Sequence, residues 1–183
     1  AYKHYFSSLF QALHQELLNS EILHADETTL TVLREDGRQA RQKSYVWVYR
    51  TSGDAVRPVV LYDYQPSRSG ACASNFLQGF IGLLHTDGYE AYHCKLPQEI
   101  TVAGCWAHMR RKFTDALKTL PKDIRARSPA QVGLEYCNKL FHLEEDYAKQ
   151  GLSFQERFFA RLERSRTGAE EVFAWVSGEQ EKK

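Results

Sequence analysis

The sequence predicts an α/β fold: a mixed sheet of three antiparallel strands then parallel strands, with flanking helices and a C-terminal helical extension or insertion. Three observations carry this expectation. Runs rich in β-branched and aromatic residues follow one another between positions 22 and 64, separated by turn signals. A segment of helical period then precedes two further apolar runs, as a crossover does when it returns a strand parallel to its neighbour. Beyond Pro121 the strand signals cease and spacing by three and four takes over.

Element by element, residues 2–19 place Phe6, Leu9, Phe10, Leu13, Leu17 and Leu18 on one stripe of an amphipathic helix. "ILHADETTLTVL" reads as the first strand, and "REDGR" supplies an Asp-Gly turn. "SYVWVYRT" is the second strand, "SGD" a turn and "VRPVVLYDY" the third, which completes an antiparallel meander. "PSRSG" interrupts the chain, and "ACASNFLQGFIG" reads as a helix with Phe76, Leu77, Phe80 and Ile81 on one side. "LLHTD" is a short fourth strand, and "EITVAGCWAH" a fifth that runs into the helix "AHMRRKFTDALKTL". Farther on, Val132, Tyr136, Leu140 and Leu143 mark a helix, "FQERFFARLERSRTGAEEVFAWV" continues in the same style, and "SGEQEKK" is a polar tail. This order matches a ribonuclease-H-like sheet. The expected division is a leading helix over 1–20, a core over 21–120 and a helical insertion or extension over 121–183.

A chain of 183 residues can bury one real core with an appendage. With 43% hydrophobic and 26% charged residues it has the composition of a globular domain. No apolar run reaches membrane-spanning length, and no signal peptide is visible, so no membrane partner is expected. A net charge of +1 leaves any nucleic-acid binding to local patches. Cys72, Cys94, Cys105 and Cys137 are scattered without a C-x-x-C pair, which suits reduced thiols in a cytoplasm. The chain begins at Ala1 rather than Met and is expected to be a piece of something longer.

Two carboxylates fall where strands favour Val and Ile. Asp26 interrupts the first strand, and Asp87 ends the fourth. Ligand sites of open α/β sheets gather at the carboxyl ends of strands. If the first and fourth strands are neighbours, both acids can point at one spot, where a divalent cation would offset their repulsion. The plainer reading is that Asp87-Gly88 is a turn and that Asp26 bonds to backbone or Thr28. Glu27 should point to the opposite face of its strand, as a structural partner.

"GCWAHMRRKF" brings Arg110, Arg111 and Lys112 together at a predicted helix start, which suits phosphate contacts. A three-residue basic run by itself is more often a solvated face. Cys105 and His108 have metal-ligand spacing but no second pair, so His108 is read as a hydrogen-bonding or substrate-side residue. Arg34, Arg38, Arg41, Lys43, Arg50 and Arg57 outnumber Glu35, Asp36 and Asp54 in the hairpin region, either to meet DNA backbone or to protect strand edges.

Taken together, "HADETTLTVL", "SYVWVYRT", "YDYQPSRSG", "GFIGLLHTDGYEAY" and "CWAHMRRKF" resemble, in that order, the insertion sequence 66 family of transposases. The resemblance is strong from about Ser20 to Leu120 and looser to Trp175. It implies a DDE-type recombinase that uses two Asp and one Glu with Mg²⁺, for which Mn²⁺ can substitute. Asp26 then matches the first acid and Asp87 the second, each catalytic and metal-ligating. Water, then a DNA 3′-hydroxyl, attacks a phosphodiester. His108, Arg110, Arg111 and Lys112 would lie on the DNA side. The implied partners are transposon ends and target DNA, with room for a homo-oligomer in the DNA complex, in the bacterial cytoplasm at the nucleoid. The third acid is expected in a "D-N-N-x-x-E-R" motif, which does not occur in these residues. Glu144, Glu145, Glu170 and Glu171 read instead as solvated helix faces. The expectation is a fragment with two of three catalytic carboxylates, weak or dead alone. Two other readings stand beside it: a ribonuclease-H-like nuclease that cuts without joining, and a non-catalytic DNA-binding or interaction module of transposase descent.

Overall fold

The computed structural model describes residues 2–53, 55–94 and 96–180. Asp54 of the hairpin region, the side chain of Cys94 and the last three residues of the "SGEQEKK" tail lie outside the described residues. The chain divides into two compact units, Ala1–Cys105 and Trp106–Lys183.

The first unit holds α1 (Tyr2–Leu18), β1 (Ile22–Thr31), β2 (Lys43–Thr51), β3 (Val60–Gln65), α2 (Gly70–Phe76), β4 (Gly82–Thr86), α3 (Ala91–Cys94) and β5 (Ile100–Gly104). Its sheet has the order β3-β2-β1-β4-β5. β1 pairs antiparallel with β2 and β2 with β3, whereas β4 runs parallel to β1 and β5 parallel to β4. This is the mixed, ribonuclease-H-like α/β sheet that the order of segments predicts.

Period-two alternation gives the sheet two unlike faces. Leu23 and Ala25 of β1, Trp47 and Tyr49 of β2, Leu61 of β3 and Leu84 of β4 are buried on one face. Leu17, Ala73, Phe76, Leu77, Phe80 and Tyr92 from the helices and their connections join the same core. Tyr49 stacks on Phe76 at 3.8 Å between ring centroids, and Trp47 meets Tyr92 edge-on at 5.8 Å. On the other face, Asp26 of β1 and Tyr62 and Tyr64 of β3 are exposed. Asp26 pairs with Val48, which pairs in turn with Tyr62.

Several local expectations change. The connection from β1 to β2 is a long loop over 32–42, not a tight turn. Glu35 organises it by accepting hydrogen bonds from Tyr64, Arg38 and Ser44 at 2.6, 3.0 and 3.2 Å. Arg38 also donates to Ser44 and to the Lys43 carbonyl, so this cation holds the loop together. The helix predicted through Gly82 stops at Phe76. Gly79, at a φ of 87°, lets the chain turn, which buries Phe80 but leaves Ile81 exposed. Among the described side chains of α1, Leu17 alone is fully buried, and Phe6, Leu9, Phe10 and Leu13 stay exposed.

The second unit is helical: α4 (Trp106–Thr119), α5 (Lys122–Arg125), α6 (Pro129–Lys149), α7 (Phe154–Ala160), a π-helical segment (Arg161–Ser165) and α8 (Arg166–Gln180). Ser128 caps α6, with Pro129 at its first turn, and Ser153 and Glu156 form a reciprocal capping box on α7. The buried side of α6 runs through Gly133, Cys137 and Tyr147, one position on from the predicted Val132 and Tyr136 stripe. The cause is Gly133, where the Phe113 ring of α4 occupies the space a side chain would fill. Glu144 is no plain solvated residue, since Arg161 grips it through two hydrogen bonds of 2.7 Å. No described helix is long and apolar enough to cross a membrane.

Candidate active site

β1 and β4 are adjacent, and their register fixes where the two acids stand. Ile22 pairs with Leu83, Leu23 with Leu84 and His24 with His85. That offset of 61 positions (83 − 22) is also the offset from Asp26 to Asp87 (87 − 26). Continued by two residues, past the end of β4 at Thr86, the same offset would match Asp26 with Asp87. Alternation puts Asp26 on the face of His24, whose ring lies 4.7 Å from that of His85.

Neither acid is sunk in the core, although both fall in runs where strands favour Val and Ile. Asp26 is exposed and Asp87 half-buried. Each has one oxygen engaged: Asp26 Oδ1 accepts from the Glu27 amide at 2.9 Å, and Asp87 Oδ1 from the Tyr89 amide at 2.9 Å. The second bond is an Asx turn, so the turn role and a ligand role coexist in Asp87.

The deeply placed acid is Glu27, whose side chain is 1% exposed. Both its oxygens are satisfied. Arg68 donates to Oε1 through Nε and Nη2, at 2.8 and 2.5 Å, and the Tyr92 hydroxyl donates to Oε2 at 2.7 Å. Burial is the largest single influence on Arg68 and works against its charge, but the Glu27 bond together with the nearby negative charges of Glu27 and Asp87 and the Tyr89 hydroxyl holds the guanidinium above its ordinary value. Burial, then the Glu27 bond, pushes the Tyr92 hydroxyl far above the usual phenol range. Glu27 is thus a structural partner on the core face.

Arg68, Tyr89 and Tyr92 are the site residues that sequence reasoning did not single out. They lie inside the quoted stretches "PSRSG" and "DGYEAY", and that co-occurrence was the available signal.

The oxygen donors at Asp26 and Asp87 suit a hard cation such as Mg²⁺. Among the described residues, the second carboxylate oxygen of each acid accepts no hydrogen bond. The residues fit one half of a carboxylate site. Among the described residues no group of three His, Cys, Asp or Glu could hold a metal ion.

His108, Arg110, Arg111 and Lys112 stand on α4, in the second unit. Arg110 donates to Asn138 at 2.7 Å and lies over the Phe141 ring at 5.2 Å, which ties α4 to α6. Arg111 and Lys112 are exposed. His108 is half-buried, and its Nδ1 has no hydrogen-bond partner among the described residues.

The five-stranded mixed sheet, flanked by helices, defines an α/β protein of ribonuclease-H-like architecture. The sequence profile of the Transposase IS66 family matches residues 2–183, and the chain belongs to that family. It is similar to three proteins of Sinorhizobium fredii (strain NBRC 101917 / NGR234), all described as uncharacterized. With y4qI it shares 36% identity over 113 residues, 55% of this chain and 21% of that one. With y4hP it shares 29% over 191 residues, 93% of this chain and 33% of that one. With y4jD it shares 33% over 105 residues, 51% of this chain and 20% of that one. The chain therefore spans between about a fifth and a third of the length of these relatives. No solved structure matches it.

Proposed function

We propose that this chain is part of the catalytic core of a DDE-type DNA transposase, which cuts DNA and transfers the strand by phosphoryl transfer. The observation that supports the reading is the parallel β1–β4 register, whose offset, continued past the end of the ladder, would match Asp26 with Asp87. In this reading both acids ligate Mg²⁺ or Mn²⁺. Bound there, the cation would neutralise charge on the scissile phosphate and favour deprotonation of the attacking hydroxyl. The protein's own part is placement. The Glu27 and Tyr89 amides each hold one oxygen of Asp26 and Asp87, which would leave the other oxygen of each acid for the cation.

DNA, as transposon ends and target, is the proposed partner. Arg111 and Lys112 would contact phosphate, and His108 would lie near the transferred strand. Arg110 contributes by holding α4 on α6. With no third acid grouped at the pair among the described residues, this chain alone would be weak or inactive. The same observation favours a second reading, a non-catalytic module of transposase descent.

Calorimetric titration with Mn²⁺ and Mg²⁺ tests the first reading. Measurable binding that both Asp26→Asn and Asp87→Asn abolish would support one shared site. Absence of binding up to millimolar metal, in a folded chain, would sink the two-acid site and leave the non-catalytic module.

A further inference from the structure

We propose that Glu27, Arg68 and Tyr92 form a brace that sets the position of Asp87 relative to Asp26, and that all three are positioning residues for the pair. This rests on the reading of Asp26 and Asp87 as joint metal ligands. The links form a closed path. Asp26 and Glu27 are consecutive on β1 and face opposite sides of the sheet, so clamping the Glu27 side chain fixes the strand's rotation beneath Asp26. Arg68 binds Glu27 and lays its guanidinium 3.8 Å from the centroid of the Tyr89 ring. The Tyr89 hydroxyl donates to the Arg68 carbonyl at 3.0 Å, and the Tyr89 amide donates to Asp87. A second arm runs from Glu27 through the Tyr92 hydroxyl into α3, just after the Asp87 turn. The turn carrying Asp87 is thus held at two points, both referred to the residue beside Asp26.

β4 leaves this to be done. Its ladder with β1 runs through His24 and His85, and the strand ends at Thr86, so backbone pairing does not itself reach Asp87. Arg68 lies on the loop before α2, which makes it the one contributor from outside the two acid-bearing segments. The brace thereby connects the "ADET", "PSRSG" and "DGYEAY" stretches.

Two measurements on the folded chain test the brace. NMR hydrogen exchange at the Tyr89 amide, without metal, should be about ten-fold faster in Arg68→Lys and Tyr92→Phe. Mn²⁺ affinity in the same variants should fall about ten-fold, as when partners orienting a metal ligand are removed. Glu27→Ala should do the same, and Glu27→Gln, which keeps one acceptor oxygen for Arg68 and offers the Tyr92 hydroxyl an amide donor in place of the other, should restore part of each. Tyr49→Phe is the control, because Tyr49 is equally buried and its hydroxyl has no hydrogen-bond partner among the described residues. It should move neither readout. Should Glu27→Ala fail to fold, Tyr92→Phe deletes a single oxygen and still decides. Unchanged Tyr89 exchange in Arg68→Lys and Tyr92→Phe would overturn the brace, whatever the metal does. Absence of Mn²⁺ binding in the unmodified chain would instead overturn the ligand reading, and the exchange data would still judge the brace.

Discussion

The Tyr92 hydroxyl donates a 2.7 Å hydrogen bond to Glu27 Oε2, joining residues 65 positions apart in the chain. Tyr92 is fully buried, and the Glu27 side chain is almost so. Two consequences for stability differ in size. Tyr92→Phe leaves one carboxylate oxygen short of a donor, a loss of roughly 1.5–3 kcal/mol for a bond to a charged group. Glu27→Ala strips Arg68 of its carboxylate and leaves the Tyr92 hydroxyl buried without an acceptor. Removing one member of a buried pair costs about 3–5 kcal/mol, and the partial exposure of Arg68, at 40%, places the change at the lower end. Urea unfolding of the two variants should rank them in that order. Equal midpoints would show that the network stores little energy.

Gly82 governs how β4 meets β1. The Leu83 amide donates to the Glu21 carbonyl at 2.9 Å, and a Cβ built on Gly82 would run into that same carbonyl. The backbone φ there is 156°. Gly82→Ala should destabilise the first unit by roughly 1–3 kcal/mol, because strain adds to the forced retreat of the strand. It should also weaken any Mn²⁺ binding beyond what partial unfolding explains, since the register whose offset would match the two acids starts at this contact. Circular dichroism melts paired with calorimetry separate the two effects.

How much of this was legible in the sequence depends on the range of the forces involved. Strands β1, β2, β4 and β5 and helices α4 and α6 follow from local periodicity, which each segment carries in itself. Asp26 and Asp87 stand out because an acid in an apolar run is a local anomaly. The burial of Glu27 was not legible, because alternation assigns it a face but cannot say that Arg68 waits there. Ile81 looked buried by its spacing, yet the turn at Gly79 ended the helix first. Glu144 looked solvated because Arg161, its partner, comes from another helical segment.

Glu144 supplies a pH dependence in the helical unit. The paired hydrogen bonds from Arg161 hold its carboxyl below the usual carboxylate range, against a smaller opposing effect of burial. A depressed carboxylate contributes stability that is present above its unfolded value, about 4.3, and is lost as pH falls through the lower folded value. Melting temperature should therefore drop as pH is lowered below about 4.3, more steeply than in Glu144→Gln. The neutral variant should be less stable near neutrality and converge with the original chain in acid. Parallel slopes for both proteins would assign the acid sensitivity elsewhere.

Phe113 of α4 and Gly133 of α6 are coupled by shape alone. A Cβ at Gly133 would sit 2.5 Å from two atoms of the Phe113 ring, so the aromatic side chain must move before any residue larger than glycine can fit. That ring also lies 6.1 Å from Trp175 of α8, which limits its room to move. Gly133→Ala gains helix propensity of about 1 kcal/mol, but overpacking of a filled contact costs typically 1–3 kcal/mol. The expected net result is destabilisation by roughly 0–2 kcal/mol, taking these two ranges together. The double variant Gly133→Ala with Phe113→Leu distinguishes the causes. The smaller side chain relieves the clash, so the pair should be more stable than the two single changes predict when added, by about 0.5–3 kcal/mol. Additive losses in a denaturation cycle would mean that α4 and α6 do not meet at this point.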